Sequence, residues 1–284
     1  MLRRMMVAIL TWAAAPAAVA FAADPPRNWR TLTETRPPAP KAAWGGFYIG
    51  NSIGAAAAGA TWNTTCLQPG APGVTCPSAA TLANLQRANN NADFGTMALR
   101  GSIYAGFNVM LSQKWVAGVE ADFAAVVKTR ARPGIPGAEN LAIPGSPGLD
   151  RASVRQSWET GARARLGYLF APNMLLFATL GVAQTRVETS ATCGGAVYPV
   201  GWCAEVANLG RTDSVAENRI GWSVGGGIEF MITSRWLWRA EYRYTDFGSM
   251  NALLLALPAS RLDAIQTSVR LRRSTAMFGV AYKF

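Results

Sequence analysis

The chain has 284 residues, half of them hydrophobic and 15% charged, with 27 Lys and Arg against 16 Asp and Glu for a net charge of +11. It contains no histidine, which excludes Ser-His and His-Asp catalytic constellations and removes the commonest general base near neutral pH. Beyond the N-terminal stretch no uncharged apolar run approaches the ~20 residues of a spanning helix, so the apolar inventory must sit in strands or in a soluble core.

Arg3 and Arg4, the apolar stretch from Met5 to Ala18 and the Ala20-Phe21-Ala22 cleavage site give residues 1–22 the form of a signal peptide. Export is expected, with a mature start near Ala23. Pro16 and the shortness of the run argue against a lone membrane anchor. Export also argues against nucleic acid as the partner of the basic charge. Residues 23–41 hold Pro25, Pro26, Pro37, Pro38 and Pro40 and are expected to form an extended periplasmic spacer. Residues 42–284 are then expected to fold as one unit.

Apolar alternation recurs near 44–58, 96–111, 114–127, 154–171, 174–188, 216–232, 235–248 and 267–284, which predicts eight strands. Their connections alternate in length. Those around Ser112-Gln113, Pro172-Asn173 and Thr233-Ser234 are tight, whereas 59–95, 128–153, 189–215 and 249–266 are long. Short turns on one side and long loops on the other predict an all-β fold, an eight-stranded antiparallel up-and-down transmembrane β-barrel with long extracellular loops and both termini in the periplasm. A soluble β-sandwich has no reason to sort its loops in this way.

Charge follows the same two-residue period. The seventh predicted strand sets Trp236, Trp238, Ala240, Tyr242 and Tyr244 against Arg235, Arg239, Glu241 and Arg243. The fourth sets Trp158, Ala162, Ala164 and Leu166 against Glu159, Arg163 and Arg165; the third sets Val119 and Phe123 against Glu120 and Asp122; the sixth sets Ile228 and Phe230 against Glu229. An Arg or Lys on the lipid face at the bilayer midplane costs about 2–4 kcal/mol, so the charge-free faces are expected to meet lipid. Asn51 is an exception on the apolar face of the first strand, and Leu175 to Leu180 is apolar on both faces, which leaves the lipid-facing parity of the fifth strand undecided. Trp115, Tyr168, Phe230, Trp236, Trp238 and Phe284 are expected in a periplasmic aromatic girdle, Trp158 and Trp222 in an extracellular one.

An eight-stranded barrel is just wide enough for inward side chains to fill it. The predicted lumen gathers Arg100, Arg163, Arg165, Arg239 and Arg243 with Glu120, Asp122, Glu159, Glu229 and Glu241, five of each sign. That balance suggests a mutually neutralising plug, with a narrow gated pore as the alternative. Glycines on the inward parity, among them Gly106, Gly118, Gly161, Gly167, Gly225, Gly227 and Gly279, make room for long side chains or for water. Glu120 and Asp122 could share a proton on one face, but the nearby arginines give them a simpler electrostatic role. No catalytic residue, cofactor or metal is expected.

Cys66 with Cys76 and Cys193 with Cys203 form two local pairs in Gly- and Pro-rich sequence, expected to close as two disulfides within the loops. The absence of His and of C-x-x-C spacing argues against a metal site. The surplus basic residues Lys128, Arg130, Arg132, Arg151, Arg155, Arg186, Arg219, Arg270, Arg272 and Arg273 are expected at the outer rim, level with lipopolysaccharide phosphates. Arg270 and Arg272 carry the lipid-facing parity, with Arg273 beside them; a merely solvated rim is the alternative. The run Leu253-Leu254-Leu255-Ala256-Leu257 reads equally as a strand extension, a loop core or a surface contact.

The last nine residues alternate Phe278, Val280, Tyr282 and Phe284 with Met277, Gly279, Ala281 and Lys283. This tail resembles the C-terminal signal of Gram-negative outer-membrane barrels, with Phe278, Tyr282 and Phe284 as its aromatic positions. The resemblance implies the outer-membrane assembly machinery and periplasmic chaperones as partners. Together with the Pro-rich spacer and the entry Trp44-Gly-Gly-Phe-Tyr-Ile-Gly50, the chain resembles the small outer-membrane immunogenic-protein family of alphaproteobacteria over nearly all of its mature length. The family resemblance implies an eight-stranded barrel in the outer membrane, related in architecture to the OmpA membrane domain, and no established catalytic residues. The expected role is structural and surface-directed: envelope integrity, contact with outer-membrane lipid and lipopolysaccharide, and display of extracellular loops. A narrow diffusion channel and an adhesin with a host or surface ligand on its loops are the alternatives.

Overall fold

The computed structural model describes residues 44–67, 91–137, 150–193, 211–256 and 264–284. The expected signal peptide and spacer, Cys76 and Cys203 lie outside them.

Nine strands follow one another along the described chain: β1 Gly46–Leu67, β2 Asn91–Asp93, β3 Thr96–Met110, β4 Trp115–Pro133, β5 Arg151–Ala171, β6 Met174–Cys193, β7 Arg211–Met231, β8 Trp236–Leu254 and β9 Ile265–Lys283. Neighbours pair antiparallel in chain order, and β9 returns to β1, so eight strands close a ring that has no free sheet edge at the level where all the ladders run. β2 is the exception, pairing only with Thr61, Trp62 and Asn63 at the upper part of β1. It extends the line of β3 after a break at Phe94 and Gly95.

The period of two that organises the sequence sets the wall. Ile53, Leu99, Ile103, Val119, Leu180, Val224 and Phe278 are exposed on the outside, while the charges on the opposite parity at this level, among them Glu120, Arg163, Glu229 and Arg239, are buried inside. The fifth predicted strand, β6, turns Leu176, Leu180 and Val182 outward and buries Leu175 and Phe177. Both of its faces are apolar because Leu175 and Phe177 fill one end of the bore. Trp115 meets Tyr168 with ring centroids 5.1 Å apart, Trp236 meets Tyr282 at 5.2 Å, and Phe284 meets Phe47 at 5.6 Å, which forms an aromatic rim at the end carrying the short turns. Trp222 and Tyr244 pair at 5.5 Å nearer the other end. The terminal strand is locked on both sides: Lys283 N–H donates to Arg235 C=O at 2.8 Å and Phe284 N–H to Phe47 C=O at 2.9 Å.

Several strands run well beyond the alternation that predicted them. β1 has 22 residues, β5 and β7 have 21 and β6 has 20, against about 9–11 needed for a tilted strand to cross a bilayer. The wall therefore continues past the apolar belt, and much of the expected loop sequence belongs to it. The inside of this extension is apolar, with Trp62, Phe94, Ile135, Phe247, Met250 and Leu255 in one buried cluster. Leu254 and Leu255 of the apolar run join it, so that run is both a strand end and an interior cap.

As the β3–β4 ladder does at Gly101 and Ala125, the β7–β8 ladder stops short of its strands' ends. It spans only Trp222↔Asp246 to Met231↔Leu237, although both strands continue beyond Trp222 and Asp246. A bulge at Asp246/Gly248, with Gly248 at φ 69°, keeps β8 in register with β9 and turns it away from β7. Side chains bridge the parting: Arg219 Nη2 donates to Ser249 C=O at 2.6 Å, and Leu255 N–H donates to Asp213 Oδ2 at 2.8 Å. Leu255 holds a left-handed φ of 60°, and Arg211 Nη2 donates to its carbonyl.

Cys66 and Cys193 are both disulfide-bonded and buried, and they sit at the ends of β1 and β6 rather than in free loop. Peptide mapping without reduction should recover Cys66 joined to Cys76 and Cys193 joined to Cys203. Crossed peptides would overturn that pairing.

Candidate functional site: the charged lumen

All ten residues expected in the lumen are buried inside the ring. β4 contributes Glu120 and Asp122, two apart and on one face, and β5 faces them with Arg163 and Arg165. β8 supplies Arg239, Glu241 and Arg243, β7 supplies Glu229 and β3 supplies Arg100.

Cross-strand register explains how such long side chains fit. Arg100 lies opposite Gly54, Glu120 opposite Gly106, Arg165 opposite Gly118, and Arg239 opposite Gly279. Arg163 is flanked by Gly181, Arg243 by Gly225 and Glu241 by Gly227. Each charged side chain thus rises over a neighbour with none. At Gly106 a Cβ would run into the Tyr48 hydroxyl, which is held in place by the network itself.

The result is a lattice in which every carboxylate serves more than one arginine. Glu120 lies 2.8 Å from Arg163, 2.6 Å from Arg239 and 3.9 Å from Arg165. Asp122 takes Arg100 at 2.9 Å, Arg163 at 2.5 Å and Arg243 at 3.2 Å. Glu229 bridges Arg165 and Arg239 at 2.7 and 2.6 Å, and Glu241 bridges Arg243 and Arg239 at 2.8 and 3.6 Å. Tyr48 donates to Glu120 Oε2 at 2.7 Å and accepts from Arg165 Nη1 at 2.8 Å.

Below the lattice, toward the short turns, Trp44, Tyr48, Tyr104, Val116, Leu175 and Leu237 close the bore with apolar and aromatic surface. Arg239 stacks over this layer, its guanidinium 4.4 Å from the Tyr104 ring centre and 5.1 Å from that of Phe177. Above the lattice lies the apolar cluster of the extension. The lumen is therefore filled in three layers, apolar, charged and apolar.

Two basic residues expected at the outer rim are inside instead. Arg273 is 1% exposed and ion-pairs with Glu159, which also takes Arg100 at 2.9 Å; Arg273 further donates to Gln156 Oε1. It shares the inward parity of Thr275 and Met277, whereas Arg270 and Arg272 alternate outward. Arg130, 8% exposed, also turns inward. The balance of five and five is thereby corrected to seven arginines and five carboxylates. Gln156 enters the lumen because a bulge between Gln156 and Glu159 shifts the inward parity of β5, a change that strict alternation hides. Arg270 and Arg272 do stand at the outer surface, half-exposed, sharing Asp246 at 3.1 and 3.5 Å.

Every lumenal carboxylate is held by arginine, and among the described residues no group of three or more His, Cys, Asp or Glu could hold a metal.

A closed eight-stranded ring with an apolar outer belt, aromatic rims and a paired-charge bore is an outer-membrane β-barrel. A family model for the outer membrane protein beta-barrel domain matches residues 13–284, and the chain belongs to that family. It is 28% identical over 185 residues to the 31 kDa outer-membrane immunogenic protein of Brucella melitensis, a match spanning 65% of this chain and 65% of the relative, less than two thirds of its length. The 25 kDa outer-membrane immunogenic protein of the same species is 31% identical over 137 residues, covering 48% of this chain and 50% of that protein. Among solved structures the outer membrane protein OprG of Pseudomonas aeruginosa aligns with 12% identity and a TM-score of 0.46, over 84% of this chain and 96% of that one. The protein is thus placed in the Gram-negative outer membrane, with the short turns toward the periplasm and the strand extension toward the exterior.

Arg239 touches three carboxylates and three aromatic rings, so Arg239→Ala leaves Glu120, Glu229 and Glu241 short of a counter-charge at once. Removing one partner of a buried pair costs about 3–5 kcal/mol. Urea unfolding in detergent, followed by tryptophan fluorescence, should show a loss of that order. Arg243→Ala should cost less, because Asp122 keeps two other arginines.

Proposed function

We propose that this protein is a closed, non-conducting barrel with a structural and surface-directed role: it anchors in the outer membrane and holds a rigid β-walled extension outside it. The filling of the lumen carries this reading. A diffusion pathway needs a continuous polar passage, and here a charged layer lies between two apolar layers whose largest members, Trp44 and Trp62, are buried. The absence of histidine and the engagement of every lumenal carboxylate by arginine favour a non-enzymatic role. Phe278, Tyr282 and Phe284, on the outer face of the last strand, suit recognition by the assembly machinery after delivery by periplasmic chaperones. Purified protein in a planar bilayer should give no steady conductance, and liposomes carrying it should not swell in small sugars. A stable open conductance in the wild-type chain would overturn the closed reading in favour of a diffusion channel.

Arg270 and Arg272 support a second contact, with lipopolysaccharide. They leave the hydrocarbon level on the lipid-facing parity, share one carboxylate, and remain 51% exposed, so their guanidinium groups retain donors for a lipid A phosphate. Replacing both with Gln should reduce lipopolysaccharide co-purification and its salt sensitivity while leaving heat-modifiable migration intact. Unchanged co-purification would reduce the pair to solvated charge.

A further inference from the structure

The two arginines that turned inward leave the top of the charged layer unbalanced. Among the described residues Arg130 has no carboxylate within ion-pairing distance, and its Nε and Nη1 have no hydrogen-bond partner although both atoms are buried. The neighbouring charge it feels is that of Arg273, which is of the same sign. A buried cation beside another cation is the costliest arrangement in this lumen unless an anion joins it.

Three more observations converge on the same place. Arg273 spends its two terminal nitrogens on Glu159 and Gln156 and leaves Nε without a partner. Gln156 accepts from Arg273 through Oε1, which fixes the orientation of the amide, and its Nε2 is then a buried donor without an acceptor. Arg130 lies opposite Val154, two residues from Gln156 on the inward face of the β4–β5 pair, which brings the two side chains to diagonal cross-strand positions. Unpartnered donors from three residues therefore collect at one level of the bore, with no unpaired acceptor among Arg130, Gln156 and Arg273 to meet them.

We infer that Arg130, Gln156 and Arg273 form a buried binding site for one inorganic oxyanion, sulfate or hydrogen phosphate. Planar guanidinium groups present paired donors at the spacing of two oxyanion oxygens, and a tetrahedral anion can take donors from several directions. The charge agrees in sign: the seven buried lumenal arginines outnumber the five buried lumenal carboxylates. Burial selects the source. Arg130 is 8% exposed, Gln156 3% and Arg273 1%, beneath the apolar cap, so a phosphate carried on a lipid or a sugar chain cannot reach them and a free ion can. The anion is taken up as the barrel closes and acts as a structural ion.

The experiment refolds the full chain from urea into detergent micelles, in sulfate or in chloride at the same ionic strength, and follows the temperature at which the folded electrophoretic form is lost. In wild type that temperature should rise with sulfate and saturate, and labelled sulfate should be retained at one equivalent after desalting. Arg130→Gln should require about tenfold more sulfate for the same rise, the loss of roughly one charge-assisted hydrogen bond. In chloride alone it should be as stable as wild type or more so, since it removes an unpaired buried charge. General salt exclusion from the surface also stabilises proteins, but it does not saturate and is common to both chains. Equal responses in wild type and Arg130→Gln, or no retained sulfate in wild type, would overturn the site, and the second result stands even if the variant does not fold.

Discussion

The bore of an eight-stranded ring admits side chains and little else, so any group that points inward must find its partner across the bore or along the neighbouring strand. That constraint organises the rest of the molecule. It explains why carboxylates serve two or three arginines each and why the residues opposite them are so often glycine. It also explains why Tyr48 joins the lattice through its hydroxyl while its ring belongs to the apolar layer below. The lattice is not in itself a source of large net stability, because desolvating the charges offsets most of their attraction. Its effect is on specificity. A one-residue slip of any strand would turn its charges to lipid and its leucines into the bore.

Much of this was legible because the lipid face tolerates so little. The ten lumenal charges separated by parity alone, and the tight turns marked the strand ends on the periplasmic side. What escaped notice did so for local reasons. In β1 the run Gly54-Ala-Ala-Ala-Ala-Gly-Ala60 offers no contrast between faces, although Ala56, Ala58 and Ala60 point in and Ala55 and Ala57 point out. The upper half of β7 is polar on both faces because its inner side, at Glu217 and Arg219, is reached by solvent. Arg273 lay hidden in a basic block whose members alternate, and Gln156 lay beyond a bulge.

The extension outside the membrane changes what the loops mean. Cys66, Cys193 and Leu254 belong to the wall or its interior, so the segments outside the described residues begin from a stiff, apolar-cored collar. A collar of this kind holds loop ends at fixed separation and limits the conformational entropy to be lost when a loop meets a surface. A displayed surface gains from that rigidity. A channel would gain nothing from an apolar stopper at its mouth.

The collar has two lines where a backbone ladder stops short of its strands' ends, one between β3 and β4 and one between β7 and β8. Between β7 and β8 the backbone ladder ends at Trp222 and Asp246, and beyond it the two edges are joined by Arg219 reaching the backbone of Ser249 in β8 and by Asp213 and Arg211 reaching the backbone of Leu255 just past its end. Each ladder bond is part of a cooperative array, whereas these contacts are single, and Arg219 is partly solvated. The left-handed Leu255 is held by two of them, so loosening Asp213 or Arg211 would release both its backbone strain and its side chain from the interior cluster. Opening along the β7–β8 line should therefore run from the exterior downward and stop where the bulge at Gly248 gives way to the regular β7–β8 ladder. Below that point the arginine–carboxylate lattice ties β3, β4, β5, β7 and β8 to one another across the bore, and the β7–β8 seam cannot part there without breaking it.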